Sequence, residues 1–248
     1  MVPIWKVIVD SFDKTAGYGM NFWPQQFTFG GYGEVISKSA LYRPFLISCI
    51  VTVAGTFLGL LLATLGAYVL IQWEMPGRNL FAYMLLFTMI FDGGMIPKYL
   101  VMKELHLLDT LFSVILPLAI NVYNLVLMRN FFEGIPEALF EAAEIDGAAK
   151  WDILWKIRVP MVMSSITICV FLTLTNSFKL FDQNLALTGG DPNHATEMLA
   201  LNIYQTFYAR AGMQWKGYGQ AKAVIFCVLV IIISLVQLKA TRSKEVQQ

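Results

Sequence analysis

Five long apolar runs separated by short polar segments organise the 248-residue chain. A helix that crosses a hydrocarbon core of about 30 Å needs roughly 20 mostly apolar residues, each adding about 1.5 Å. Phe45–Trp73 is the clearest run and stops at the polar turn EMPGRN. Leu80–Met102 follows, broken at Gly93, Gly94 and Pro97; then come Leu111–Met128, Met161 to about Phe178, and Ala221–Leu238. The pattern predicts an all-α fold, a polytopic transmembrane helix bundle with five complete spanning helices. Residues 1–12 are apolar but too short to span, and they carry Lys6. They read as the remnant of a first helix whose beginning is absent, or as an interfacial segment, and not as a signal peptide. No repeat of 20 to 50 residues recurs, so one domain, 1–248, is expected, with 1–44 as an N-terminal stub and outer segment.

The polar exception lies between the third and fourth runs, in EAAEIDGAAKWDILWKIRVP, residues 141 to 160. Pro136 suits a first helical position, where its missing N–H matters least, and Glu137 and Glu141 sit near the positive end of the helix dipole. Ala142 and Ala143 are small and helix-prone, so another surface can approach closely. Gly147 can take the left-handed conformation that ends a helix. Trp151, Ile153, Leu154 and Ile157 then form an amphipathic piece, and Pro160 opens the next span. A short helix, a turn and a second short helix are expected across 129–160. By pattern alone this is equally an interfacial hairpin linking two spans or a docking element.

Composition settles the solvent. The chain is 57% hydrophobic and only 14% charged, with a mean hydropathy of +0.60, which is an integral membrane protein's balance. A net charge of +1 carries no polyelectrolyte signature, so no nucleic-acid partner is expected. Cys49, Cys169 and Cys227 stand alone in apolar stretches and read as small buried hydrophobes. His106 and His194 lie far apart in polar connections and read as solvated, so no metal is expected. No G-x-x-x-x-G-K-[ST], G-x-S-x-G or H-E-x-x-H occurs, so neither a nucleotide-binding loop nor a hydrolase site is visible and the chain is not expected to be an enzyme. Basic residues favour the side holding Arg78, Arg129, Lys150, Lys156, Arg158 and the tail KATRSKEVQQ, which assigns 129–160 to the cytoplasm by a small margin.

The spacing Glu141-Ala142-Ala143, then Gly147, then Ile157-x-Val159-Pro160 resembles the EAA loop of ABC-importer permeases, EAA-x3-G-x9-I-x-L-P, with Val159 in place of the leucine. The resemblance extends along most of the chain and points to the carbohydrate branch, similar to the paired maltose-type inner-membrane subunits. MPGRNLFAY, GGMIPKYLV and MRNFFEGIPEALFEAAEIDGA resemble the G-type subunit, whereas NSFKLFDQNLALTGGDPNHATEMLALNIYQTFY and the last apolar run resemble the F-type. The resemblance implies a permease subunit of a binding-protein-dependent importer of sugars or oligosaccharides in the cytoplasmic membrane of a bacterium or archaeon. It implies a coupling helix in which Glu141, Ala142, Ala143, Asp146, Gly147, Ile157 and Pro160 contact the ATPase. It implies as partners a second permease subunit, an ABC ATPase dimer that holds ATP and Mg, an extracytoplasmic solute-binding protein, the sugar and membrane lipid. No cofactor is expected on this chain itself. A secondary carrier or a non-transporting membrane scaffold is the alternative, although no inverted repeat supports a carrier.

A sugar path through a bilayer needs polar groups facing a cavity or one another. Thr173, Thr175, Asn176, Ser177 and Lys179 end the fourth run, followed by Asp182, Gln183 and Asn184. Their hydroxyls and amides can bond sugar hydroxyls, and Phe178 and Phe181 offer flat faces to a pyranose ring; equally, this is where the helix emerges into water. Asn121 and Asn124 face the path or a neighbouring helix. Asp92, about 12 residues into its run, lines a vestibule or accepts bonds from N–H groups freed near Gly93, Gly94 and Pro97.

Overall fold

The computed structural model describes residues 2–14, 22–37, 41–72, 76–136, 138–208 and 214–242. Trp73 and Glu137 lie outside them. In chain order the helices are α1 (Val2–Ser11), α2 (Gly30–Ser37), α3 (Tyr42–Ile71), α4 (Arg78–Ile90), α5 (Met95–Glu104), α6 (Leu111–Ala119) and α7 (Val122–Glu133). Then come α8 (Ala138–Ile145), α9 (Lys150–Asp152), a π-helix (Ile153–Arg158), α10 (Val159–Met161), α11 (Met163–Phe178), α12 (Phe181–Leu187), α13 (Leu199–Tyr208) and α14 (Gln214–Arg242). The extended pairing found among the described residues is one antiparallel bridge, Asp13 with Phe27.

Tyr42–Ile71, Leu111–Glu133 and Lys216–Ala240 are each long and apolar enough to cross a membrane, and two bent pairs bring the number to five if each counts as one span. The break expected at Gly93, Gly94 and Pro97 is present, and a second interrupts the fourth run at its start. Between α4 and α5 the axis turns by 119°. Gly94 stands at φ 79°, and in a continuous helix the Pro97 ring would meet the carbonyl of Gly93 while offering no N–H in return. The second bend, 74°, separates Lys150–Met161 from Met163–Phe178, with Val162 at φ −95°, ψ 20°. Pro160 lies just before it, and the ladder upstream has widened to π register, Val159 N–H reaching Leu154 O.

The chain divides into two compact units. The first comprises 1–52, 99–114 and 176–233. Its core joins Val35 and Leu41 to Leu199, Tyr218 and Ala221, and Ser48 Oγ accepts the N–H of Leu199 at 2.9 Å, satisfying a donor at the start of α13.

The second unit comprises 53–98, 115–175 and 234–248. Lipid tails are as apolar as leucine, so helices in a bilayer associate through close packing and interhelical bonds. Small residues at every fourth position of α3, Gly55, Gly59, Ala63 and Ala67, supply the close approach. A Cβ on Gly59 would stand 3.4 Å from Leu118 O, and one on Gly66 only 2.9 Å from Leu125 Cδ1. Ala67, Met128, Phe132, Leu154, Val162 and Cys169 form the core behind this contact.

Candidate functional site

The segment 138–161 belongs wholly to the second unit. Helix α8 ends at Gly147, whose φ of 81° is the left-handed cap expected of it. There Asp146 N–H reaches Ala142 O at 3.1 Å, and Ala148 N–H reaches Ala143 O at 3.0 Å. Pro136 precedes α8 and accepts the N–H of Leu139 at 3.3 Å. The amphipathic piece expected after Gly147 is a single turn of α9 and then the π-helix, a register that apolar spacing alone does not reveal.

The segment is two-sided. Glu141, Ala142, Asp146 and Gly147 are exposed, Ala143, Ile157 and Pro160 half-buried. Ile145 is 86% exposed and Trp151 62%, large apolar groups left uncovered. Trp151 and Trp155 hold each other at 6.2 Å between ring centroids, and Asp152 pairs with Lys156 at 2.6 Å. On the other side Ile153 and Leu154 are buried, Leu154 against α3, α7 and α11 through Ala67, Met128, Phe132 and Cys169. Arg158, half-buried, places its guanidinium 5.0 Å from the ring centroid of Tyr68 on α3. Leu154 and Arg158 are thus the side chains that join this segment to the core of its unit.

The polar residues expected along a path do not gather into one cluster within either unit. In the second unit, Asn121 caps α7, its Oδ1 accepting the N–H of Asn124 at 3.2 Å. Asn124 is buried and donates from Nδ2 to Thr173 Oγ1 at 2.8 Å, a bond between α7 and α11. Asp92 lies in the break between α4 and α5 and not inside a helix. Its Oδ1 accepts Gly94 N–H at 2.9 Å, and Lys98 Nζ lies 3.2 Å away. In the first unit, Asn176 and Asp182 are exposed and Ser177 fully buried. Phe178 is buried near Phe226, and Phe181 lies 4.9 Å from Tyr204 between centroids, so both rings are engaged by neighbouring aromatics.

The first unit also holds a polar chain that sequence reasoning missed. Lys222 Nζ, 2% exposed as a residue, donates to Asn202 Oδ1 at 2.6 Å and Thr206 Oγ1 at 3.0 Å. Asn202 Nδ2 donates to Glu197 Oε1 at 2.9 Å, and Glu197 Oε2 lies 2.7 Å from His194 Nδ1. Asn184 secures the same connection, donating to Thr188 Oγ1 and Thr196 O at 2.8 Å and accepting from Met198 N–H at 3.0 Å. The available signal was one ammonium inside an otherwise apolar run. Among the described residues no three His, Cys, Asp or Glu side chains converge on a metal position.

The family of binding-protein-dependent transport system inner membrane components matches residues 55–242. The polygalacturonan/rhamnogalacturonan transport system permease protein YtcP of Bacillus subtilis strain 168 is 41% identical over 153 residues, 61% of this chain and 54% of its own. The probable starch degradation products transport system permease protein AmyD of Thermoanaerobacterium thermosulfurigenes is 43% identical over 125 residues, 50% of this chain and 42% of its own. The chain spans about half the length of the curated relatives it matches. It resembles the crystal structure of a bacterial ABC transporter involved in the import of the acidic polysaccharide alginate with a TM-score of 0.83 at 27% identity, covering 96% of this chain and 89% of that one. An inward-facing MetNI methionine ABC transporter shares the fold, with a TM-score of 0.56 at 16% identity, covering 83% and 96%. With three quarters of its length inside the family match and the EAA spacing intact on an exposed helix and turn, the chain belongs to the inner membrane components of binding-protein-dependent transport systems.

Proposed function

We propose that the chain is a permease subunit of an ABC importer for a carbohydrate and that ATP is hydrolysed on separate ATPase subunits docking at residues 138–158. One observation carries the reading: the EAA segment leaves Glu141, Ala142, Ile145 and Trp151 uncovered while Leu154 anchors it in the core of its own unit. A surface of that kind calls for a partner, because the large apolar side chains of Ile145 and Trp151 stand exposed on a segment that also exposes Glu141 and Asp146. The chain has no phosphate-binding loop, so the nucleotide belongs to that partner. The sugar class is supported by relatives named for the transport of polygalacturonan or rhamnogalacturonan and of starch degradation products. A second permease subunit and an extracytoplasmic solute-binding protein complete the proposed assembly. The mixed G-type and F-type resemblance leaves the choice of second subunit to experiment.

Gly147→Pro tests the coupling. Proline holds φ near −65° and cannot occupy a left-handed cap at 81°. We expect uptake to fall at least tenfold with membrane insertion unchanged and ATP hydrolysis retained; Glu141→Lys should act in the same direction. Wild-type uptake by both variants would contradict the coupling role.

A further inference from the structure

Between Lys14 and Glu34 the sequence carries no charged residue and is rich in aromatic ones. From Phe22 onward this stretch is fastened to α1 and the residues just after it. Thr28 N–H donates to Phe12 O at 2.8 Å and Lys14 N–H to Gln26 O at 3.2 Å, while the Asp13 carboxylate accepts the N–H groups of Gln25 at 2.8 Å and Gln26 at 3.3 Å. Trp5 Nε1, nearer the start of α1, donates to Phe22 O at 3.1 Å. Rings stiffen the arrangement: Phe12 and Phe27 stack with centroids 5.5 Å apart, and Phe29 meets Phe27 edge-on at 5.1 Å. Part of the segment docks on the rest of its unit, where Val35 is fully buried and a Cβ on Gly31 would stand 3.5 Å from that of Ala221. Trp5, Phe22, Trp23, Phe27, Phe29 and Ile36 are left exposed, Trp23 by 74%.

Large apolar side chains gathered on one uncovered surface mark a contact with protein or membrane and not with bulk water. From Phe22 to Phe29 the backbone is not helical, and irregular backbone is not tolerated against lipid tails. The hydrocarbon core is thereby excluded. The zone above it, at the level of the lipid headgroups, offers water to the backbone and an apolar bed to the rings, and tryptophan concentrates there. A protein partner would be oriented by charge, whereas the exposed residues from Phe22 to Phe29 are aromatic or, at Gln25 and Gln26, uncharged amides. Continuity with a spanning helix points the same way. Tyr42 OH donates to Ile36 O at 3.1 Å, and Tyr42, Leu46 and Ile50, successive turns of α3, are all exposed. We infer that residues 22–36 are an interfacial anchor lying in the headgroup zone of the bilayer at the start of α3, with Trp23, Phe27 and Phe29 set against the upper acyl chains. The inference rests on the membrane-bundle fold and is independent of the importer reading.

Tryptophan emission tests it. The full chain, purified with its co-expressed neighbours, is placed in nanodiscs of phosphatidylcholine brominated either near the carbonyl end or near the methyl end of the acyl chains. The Trp23 component is the emission lost in Trp23→Phe. It should be quenched at least twofold more by the carbonyl-end bromines than by the methyl-end ones, and scarcely by aqueous iodide. Phe29→Trp in the Trp23→Phe background should restore a component with the same depth profile. Both substitutions exchange one exposed ring for another, and unchanged unfolding temperatures in detergent will show that the variants fold. Quenching by iodide and by neither lipid would place Trp23 in water and overturn the anchor. Quenching strongest at the methyl end would place it in the hydrocarbon core, and shielding from both lipids and iodide would place a protein on this surface; either result also overturns it.

Discussion

Asn124 donates to Thr173 Oγ1 at 2.8 Å, while its own Oδ1 is buried without a hydrogen-bond partner among the described residues. An amide acceptor left in this state weakens the net worth of the bond its N–H makes, because the desolvation of the oxygen is not offset. Interhelical bonds of this kind in bilayers average about 0.6 kcal/mol and reach about 1.7. A double-mutant cycle with Asn124→Ala and Thr173→Val should give a coupling in that range from unfolding in detergent; additive effects would contradict a bond between α7 and α11. The sequence left Asn124 open between a path and a neighbouring helix, since a run of apolar residues shows that an amide is unusual but not which way it points. Lys222 is the same case in sharper form. Its charge is plain in the sequence, but its partners Asn202 and Thr206 come from α13, 20 and 16 residues away. No local spacing rule brings them together.

Among the elements, the coupling segment is the most legible and the most altered. Its helix, the glycine that ends it and the proline after it follow from residue types alone. The π-helix does not, because no residue type marks the register and only the downstream Pro160 hints at a disturbance. In Leu80–Met102 the break was legible at Gly93, Gly94 and Pro97, but residue types carry no information on its size, a bend of 119°. The small residues at every fourth position of α3 allow the close contact of Gly55 and Gly59 with Leu118. Within the coupling segment the two sides should separate in experiment. Leu154→Ala removes a fully buried side chain from the core and should cost about 2–5 kcal/mol, read as a lower unfolding temperature in detergent. Trp151→Ala, on the exposed side, should change stability by no more than about 0.5 kcal/mol yet weaken capture of the ATPase. A Trp151 variant as destabilised as the Leu154 one would place the tryptophan in the core, against this description.

At the scale of the whole molecule, composition was sufficient for the class: a chain 57% hydrophobic with long apolar runs is a membrane bundle, and the family match agrees. Composition said nothing of the division into two compact units, which depends on contacts between segments distant in the chain. What the sequence did carry across these scales was spacing, and the EAA spacing, displayed on an uncovered face, is the feature on which the proposed docking of an ATPase rests. The direct measurement is a pull-down from detergent of the tagged chain with its co-expressed neighbours, wild type beside a Glu141→Lys, Gly147→Pro double variant. The wild type should bring down an ATPase and a second permease subunit, and the variant should keep the permease while losing the ATPase. Equal capture of the ATPase by both, or by neither, would contradict a docking role for residues 138–158.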